Sequence, residues 1–227
     1  MGTDASYPSL TPARWQRLWA ALGASRSDDV LFGQLLAAWN EPQHHYHTQQ
    51  HLHECLSQFE LLRAAADHPD EIELALWFHD AVYDPKAGDN EEQSAELAVR
   101  TLSDASVPGR TIDEVRHLVL ATKFHDLDGS PSQSLMLDVD LSILGSDPSR
   151  FSEYERQIRQ EYSWVPTEVF APKRLEILEK FLKRPRLFRL PWFYNRLESR
   201  ARNNLKESIA LLKSHRRTHY SPPESEA

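Results

Sequence analysis

Cysteine is almost absent: Cys55 is the only one in 227 residues. That excludes an internal disulfide and any cysteine-rich zinc site, and it fits a reducing cytoplasm. Glycine is scarce as well, at seven residues, so a sheet built on glycine-rich hairpins is disfavoured. The fourteen prolines sit mostly at segment boundaries, the pattern of helices joined by short turns. Cationic side chains are outnumbered, 26 to 34, which leaves a formal net charge of −8. A chain with this balance lacks the electrostatic footprint of stable nucleic-acid binding. No run approaches ~18 uninterrupted apolar residues, and the opening "MGTDASYPSL" has neither a basic nor an apolar signal segment. Neither export nor membrane anchoring is expected, and the expected location is cytoplasmic.

What is present supports a core. Hydrophobic residues make up 40% and aromatics 10%, with 26% charged residues to cover the surface. The length stays within the range where one domain is the default. The expectation is an all-α protein with a single helical domain over residues 1–218 and a disordered tail over 219–227.

The helices announce themselves through caps and apolar spacing. Thr11 as N-cap with Pro12 at the first helical position opens one that carries Trp15, Leu18, Trp19 and Leu22 and stops at Gly23. A second runs from Ser27 through Leu31, Leu35 and Trp39 to near Pro42. The third begins around His47 or Thr48 with Leu52, Cys55, Leu56, Phe59 and Leu62 on one stripe, which directs His51 into the buried face and puts His47 one turn earlier on the same side. Pro69 opens "PDEIELALWFHDAVY", whose stripe of Ile72, Leu76, His79 and Tyr83 places a histidine where an apolar residue belongs. A helix capped by Asp89 or Asn90 follows. In "TIDE", Thr111 and Glu114 have the spacing of a capping box. "SLMLDVDLSILG" is apolar apart from Asp138 and Asp140, with Gly145 as its C-terminal stop. Three further helices are expected over 148–165, 167–182 and 191–215.

Eleven histidines are an enrichment, yet any one of them on an apolar face is more often a core residue with a satisfied hydrogen bond. The constellation carries more weight. His51, His79, Asp80 and one of Asp138 or Asp140 each lie in a mostly apolar segment, and burying such groups without partners costs a few kcal/mol apiece. A shared divalent cation would stabilise them together, since imidazoles and carboxylates suit first-row metals.

The pieces "YHTQQHLHE", "WFHDAVYD", "DNEEQSAELA", "ATKFH" and "LMLDVDLSILG", in this order, resemble the HD superfamily of metal-dependent phosphohydrolases, whose signature is a distant His, an adjacent His-Asp pair and a downstream Asp. "IRQEYSWVP" and "LEKFLKRPRLF" are similar to the C-terminal half of one subgroup, which extends the likeness to nearly the whole chain. The resemblance implies an HD-type helical bundle with additional C-terminal helices, acting on a nucleotide or other small phosphorylated metabolite. It implies a divalent ion, one of manganese, iron, cobalt, nickel, zinc or magnesium, held by His51, His79, Asp80 and Asp140, with Asp138 in reserve for the last. "YHTQQH" is similar to the pattern of cyclic-nucleotide phosphodiesterases, which makes His47 the proton donor or phosphate contact; another register would exchange His47 and His51. Asp80 is also expected to accept a hydrogen bond from the metal-bound water. Glu91, Lys123 and His125 are secondary candidates in the same cleft, set against a helix-end charge for Glu91 and a solvated helix end for Lys123. Arg159, Arg174, Arg184 and Arg189 suit either a phosphate-binding rim or a solvated face. The competing readings are an HD-type di-iron oxygenase using Glu91 and His125, and a non-catalytic metal- or nucleotide-binding module. Self-association is left open.

Overall fold

A computed structural model describes residues 7–24, 28–125 and 129–218, with side chains through residue 214. The described residues form ten α-helices and two short 3-10 segments and no strand, so the fold is all-α. None of these helices is long and apolar enough to cross a membrane. The tail expected over 219–227 and the start expected at Ser27 lie outside the described residues. The chain, read above as one domain, divides into two compact units, Met1–Asp140 and Leu141–Ala227.

In the first unit the helices are α1 (Pro12–Ala21), α2 (Asp29–Ala38), α3 (Gln49–Glu60), α4 (Pro69–Phe78), α5 (Asn90–Asp104), α6 (Gly109–Ala121) and α7 (Pro131–Asp140). Local chemistry sets several starts: Thr11 Oγ1 accepts from the Arg14 N–H, Asp28 Oδ1 from the Leu31 N–H and Thr48 Oγ1 from the Gln50 N–H. Gly23, at φ +76°, ends the first helical segment in the left-handed conformation that favours glycine.

The centre of this unit is α4, which packs against α1, α3, α5, α6 and α7. Its last eight residues, Glu71 to Phe78, are all buried, so the one-sided stripe expected for it is too narrow a description. Ile72, Leu74, Leu76, Trp77 and Phe78 are wholly enclosed, each aliphatic or Phe side chain contributing roughly 1.5–3 kcal/mol. Two acids are enclosed with them and both are partnered. Glu73 takes Arg14 Nε at 2.6 Å and an ion pair with Arg63, while Glu71 Oε1 accepts from Thr111 Oγ1 at 3.0 Å.

That last bond corrects the capping box. Helix α6 begins at Gly109, with Pro108 at the cap and its carbonyl accepting from the Thr111 and Ile112 N–H groups. Thr111 is therefore already inside the first turn, and its hydroxyl satisfies the buried Glu71. The fourth helix also stops sooner than "PDEIELALWFHDAVY" predicts, at Phe78. His47 precedes α3, because the cap is Thr48.

The second unit contains a 3-10 segment over Leu141–Gly145, then α8 (Pro148–Glu161), α9 (Thr167–Lys183) and α10 (Pro191–Thr218). "SLMLDVDLSILG" is thus not one helix: the α-helical part ends at Asp140 and the remainder tightens to 3-10. Gly145 is the last residue of that segment, as expected of a stop, and packing also requires it, since a Cβ there would fall 2.6 Å from Leu197 Cβ. Helix α10 seals this contact: Arg200 Nε donates to Gly145 O at 2.6 Å and Asn204 Nδ2 donates to Leu144 O at 2.9 Å. Arg159 binds the carbonyls of Tyr162 and Val165, Arg174 is buried against Glu155, and Arg184 lies over the Phe181 ring. Three of the four arginines considered for a phosphate rim are thus engaged within their own unit.

Candidate metal centre

Three chain segments of the first unit deliver the candidate residues to one place. Helix α3 brings in His51 from its first turn, α4 ends immediately before His79 and Asp80, and α7 presents Asp140 as its last residue. His51 and His79 are buried, at 2% and 1% exposure, among the rings of Trp39 and Tyr46.

The end of α4 is built around His79. Its Nδ1 lies 2.8 Å from the carbonyl of Leu76, which can only accept, so Nδ1 carries the proton and donates. This uses one of the carbonyls that a helix end leaves free, and it turns Nε2 inward as the atom left for a proton or an ion. The segment after Asp80 is clamped by α5. Ser94 Oγ bonds to the Val82 N–H and carbonyl, and Asn90 bridges the N–H and carbonyl of Asp84 at 3.0 Å each. Asn90 and Ser94 thus hold the loop beside the His-Asp pair. The sequence singled out Glu91 between them, and only the period of α5 separates the inward residues from the outward one.

The donor atoms converge. His51 Nε2 is 3.2 Å from His79 Nε2, 3.2 Å from Asp140 Oδ1 and 3.9 Å from Asp80 Oδ2. His79 Nε2 is 3.2 Å from Asp80 Oδ2 and 3.7 Å from Asp140 Oδ1. A divalent ion bound at roughly 2.0–2.1 Å holds neighbouring nitrogen and oxygen ligands about 3.0–3.4 Å apart, so this donor set fits such an ion after small side-chain adjustments. Of the alternatives left open, His51 and Asp140 belong to the group of donor atoms that lie close together. A fifth residue, absent from the sequence-derived ligand set, joins them. One donor atom from each of His51, Cys55, His79 and Asp140 lies within 4.8 Å of the others, so this buried group could hold a metal ion. The i to i+4 spacing of His51 and Cys55 on one helix face was the available signal for it.

The charges are mutually adjusted. Burial alone would lower the His79 pKa, but Asp80 and Asp140 outweigh it and hold the imidazole well above its ordinary value. Burial likewise opposes ionisation of Asp80, yet the neighbouring His79 brings its carboxyl down to about 2. Asp140 is also lowered against burial, through hydrogen bonds from His125, His51 and His79. Burial, together with Asp140, Glu54 and Asp80, pushes the Cys55 thiol up. In the protein alone a proton on His79 offsets part of the carboxylate charge, and this is the position a cation would take over.

The remaining candidates separate into two groups. His125 is at the site: its Nε2 lies 2.8 Å from Asp140 Oδ2, and its φ of 51° turns the chain at the end of α6 so that the ring reaches back. His47 stacks on Tyr83 at 3.8 Å between centroids and lies 6.0 Å from the His51 ring, close enough for its charge to act on Asp80. Lys123 is already matched, donating to both Glu92 oxygens at 2.5 and 2.7 Å and to the Gly88 carbonyl. The hydrogen bond to Glu92 raises the Lys123 pKa, and the same bond lowers that of Glu92. Glu91 sits half-buried in the first turn of α5 and Asp138 is buried within α7, neither belonging to the four-residue donor group.

No protein-family model, curated protein or solved structure matches this chain.

Proposed function

We propose that the protein is a metal-dependent phosphohydrolase of the HD type, acting on a nucleotide or another small phosphorylated metabolite. The observation that carries this reading is the approach of the His51 and His79 Nε2 atoms to 3.2 Å with the carboxylates of Asp80 and Asp140 beside them. His51, His79, Asp80 and Asp140 would hold a divalent ion, which supplies Lewis-acid stabilisation to a phosphoryl oxygen and acidifies water.

The chain's own residues would do the rest. Asp80, held ionised down to about 2, accepts a hydrogen bond from the attacking water and directs its lone pair to phosphorus. His47, its ring 6.0 Å from that of His51, holds the phosphate or protonates the leaving oxygen. His125 fixes the second oxygen of Asp140 and so sets the orientation of the first.

The test is a hydrolysis screen over nucleotides and phosphorylated metabolites, on protein of measured metal content, beside Asp80→Ala. The expected result is metal-dependent release of product by the parent and its loss in the variant. Equal turnover by Asp80→Ala at equal metal loading overturns the proposal. So does a metal-loaded parent that is inert across the panel, which leaves a ligand-binding module.

A further inference from the structure

The reading above leaves Cys55 without a role. It lies on α3 one turn after His51, 1% exposed, and its Sγ is 3.7 Å from His51 Nδ1 and 3.8 Å from His51 Nε2. These ring atoms are within hydrogen-bonding range of the thiol. Packing alone would be served by any small apolar side chain. The position of Sγ goes further, because it shares a 4.8 Å envelope with the donor atoms of His79 and Asp140, which come from other helices. The sulfur is nearly equidistant from the two nitrogens of the His51 ring, and it is the shared envelope that ties it to the other donors. Asp80, by contrast, approaches from the histidine pair, 3.2 Å from His79 and 3.9 Å from His51.

We propose that Cys55 is a thiolate ligand of the ion, so that the centre is a mixed nitrogen, sulfur and oxygen site of His51, Cys55, His79 and Asp140 with Asp80 beside it. The inference rests on the metal-centre reading above. On binding, the S–H bond breaks, the sulfur lone pair forms the bond to the metal and the proton leaves to solvent, with no change of oxidation state. A metal–sulfur distance of roughly 2.3 Å beside a metal–nitrogen distance of roughly 2.1 Å separates the two donors by about 3.6 Å. The observed 3.8 Å from Sγ to Nε2 comes with 3.7 Å to Nδ1, so the thiol must swing from the middle of the ring toward Nε2 to share its ion. A thiolate selects zinc, iron or cobalt and disfavours magnesium, manganese and calcium, which prefer all-oxygen surroundings.

Cobalt(II) titration of the metal-stripped protein, followed by absorption spectroscopy, tests this without reference to activity. Cys55 is the only cysteine, so a thiolate-to-cobalt charge-transfer band in the near ultraviolet can come from no other residue. The expected result is visible ligand-field bands together with that band at one equivalent. In Cys55→Ala the charge-transfer band should be lost while the ligand-field bands persist at higher cobalt concentration. Ligand-field bands without charge transfer in the parent overturn the Cys55 assignment and leave the centre standing. No cobalt spectrum at all overturns both.

Discussion

The side chains of His51 and His79 meet nitrogen to nitrogen, Nε2 to Nε2 at 3.2 Å, although 28 residues separate them in the chain. Two imidazoles in this arrangement share either a hydrogen bond, with the proton on one Nε2, or a metal ion between them. The Leu76 carbonyl removes one alternative by fixing the His79 proton on Nδ1.

The bond from His125 to the outer oxygen of Asp140 predicts a role in holding that carboxylate rather than in holding the ion. His125→Ala should weaken metal affinity roughly 10–100-fold, the usual effect of removing a group that orients a ligand. Competition with a chromophoric chelator measures it. An unchanged affinity would assign His125 to substrate instead.

The metal-stripped protein should lose stability as the solution becomes alkaline. His79 has a raised folded pKa, so its contribution is complete below the ordinary value of 6.5 and disappears as pH rises from there through the folded value. Asp80 works at the other end: its contribution is present above 3.8 and is lost as pH falls through about 2. Thermal unfolding of chelator-treated protein from about pH 6 to about pH 9 should show a falling midpoint. A divalent ion should flatten that slope by taking the place of the proton.

Glu73 is the buried hub of a second charged cluster, between Arg14 and Arg63, with Arg63 also reaching Asp70. Glu73→Gln should destabilise the protein by about 2–3 kcal/mol, less than a fully enclosed pair would cost because both arginines keep some solvent access. The midpoint of urea unfolding gives the value. A neutral result would mean that water already compensates both guanidinium groups.

Two glycines should respond with opposite sign. Gly145→Ala puts a methyl 2.6 Å from Leu197 Cβ and should cost about 1–3 kcal/mol through displacement of α10 from the Leu141–Gly145 segment. Gly33, inside α2, has nothing within 4 Å of the position a methyl would take and an ordinary helical backbone, so Gly33→Ala should stabilise by up to about 1 kcal/mol. Chemical denaturation of both variants provides the comparison.

The all-α class and most helix starts were legible in the chain before any fold was known. The cap at Thr11 and the prolines at 12, 69, 148 and 191 act through bonds and backbone angles within a few residues, so they read the same before and after folding. His51, His79, Asp80 and one of Asp138 or Asp140 stood out in the same way, because polar groups in apolar segments carry a cost that demands partners.

Whatever depends on a remote neighbour had to await the packed molecule. Thr111 has the spacing of a cap but bonds to Glu71, forty residues away in sequence. Helix α4 ends at Phe78 with the His79 ring folded back on Leu76, and α4 is buried all round because five other helices of its unit pack against it. Asp140 meets the histidines, and Cys55 joins them, because helix packing sets which face of α3 and α7 points at the other. Local propensity is a property of a few adjacent residues, whereas the convergence of donor atoms from three segments is a property of their packing.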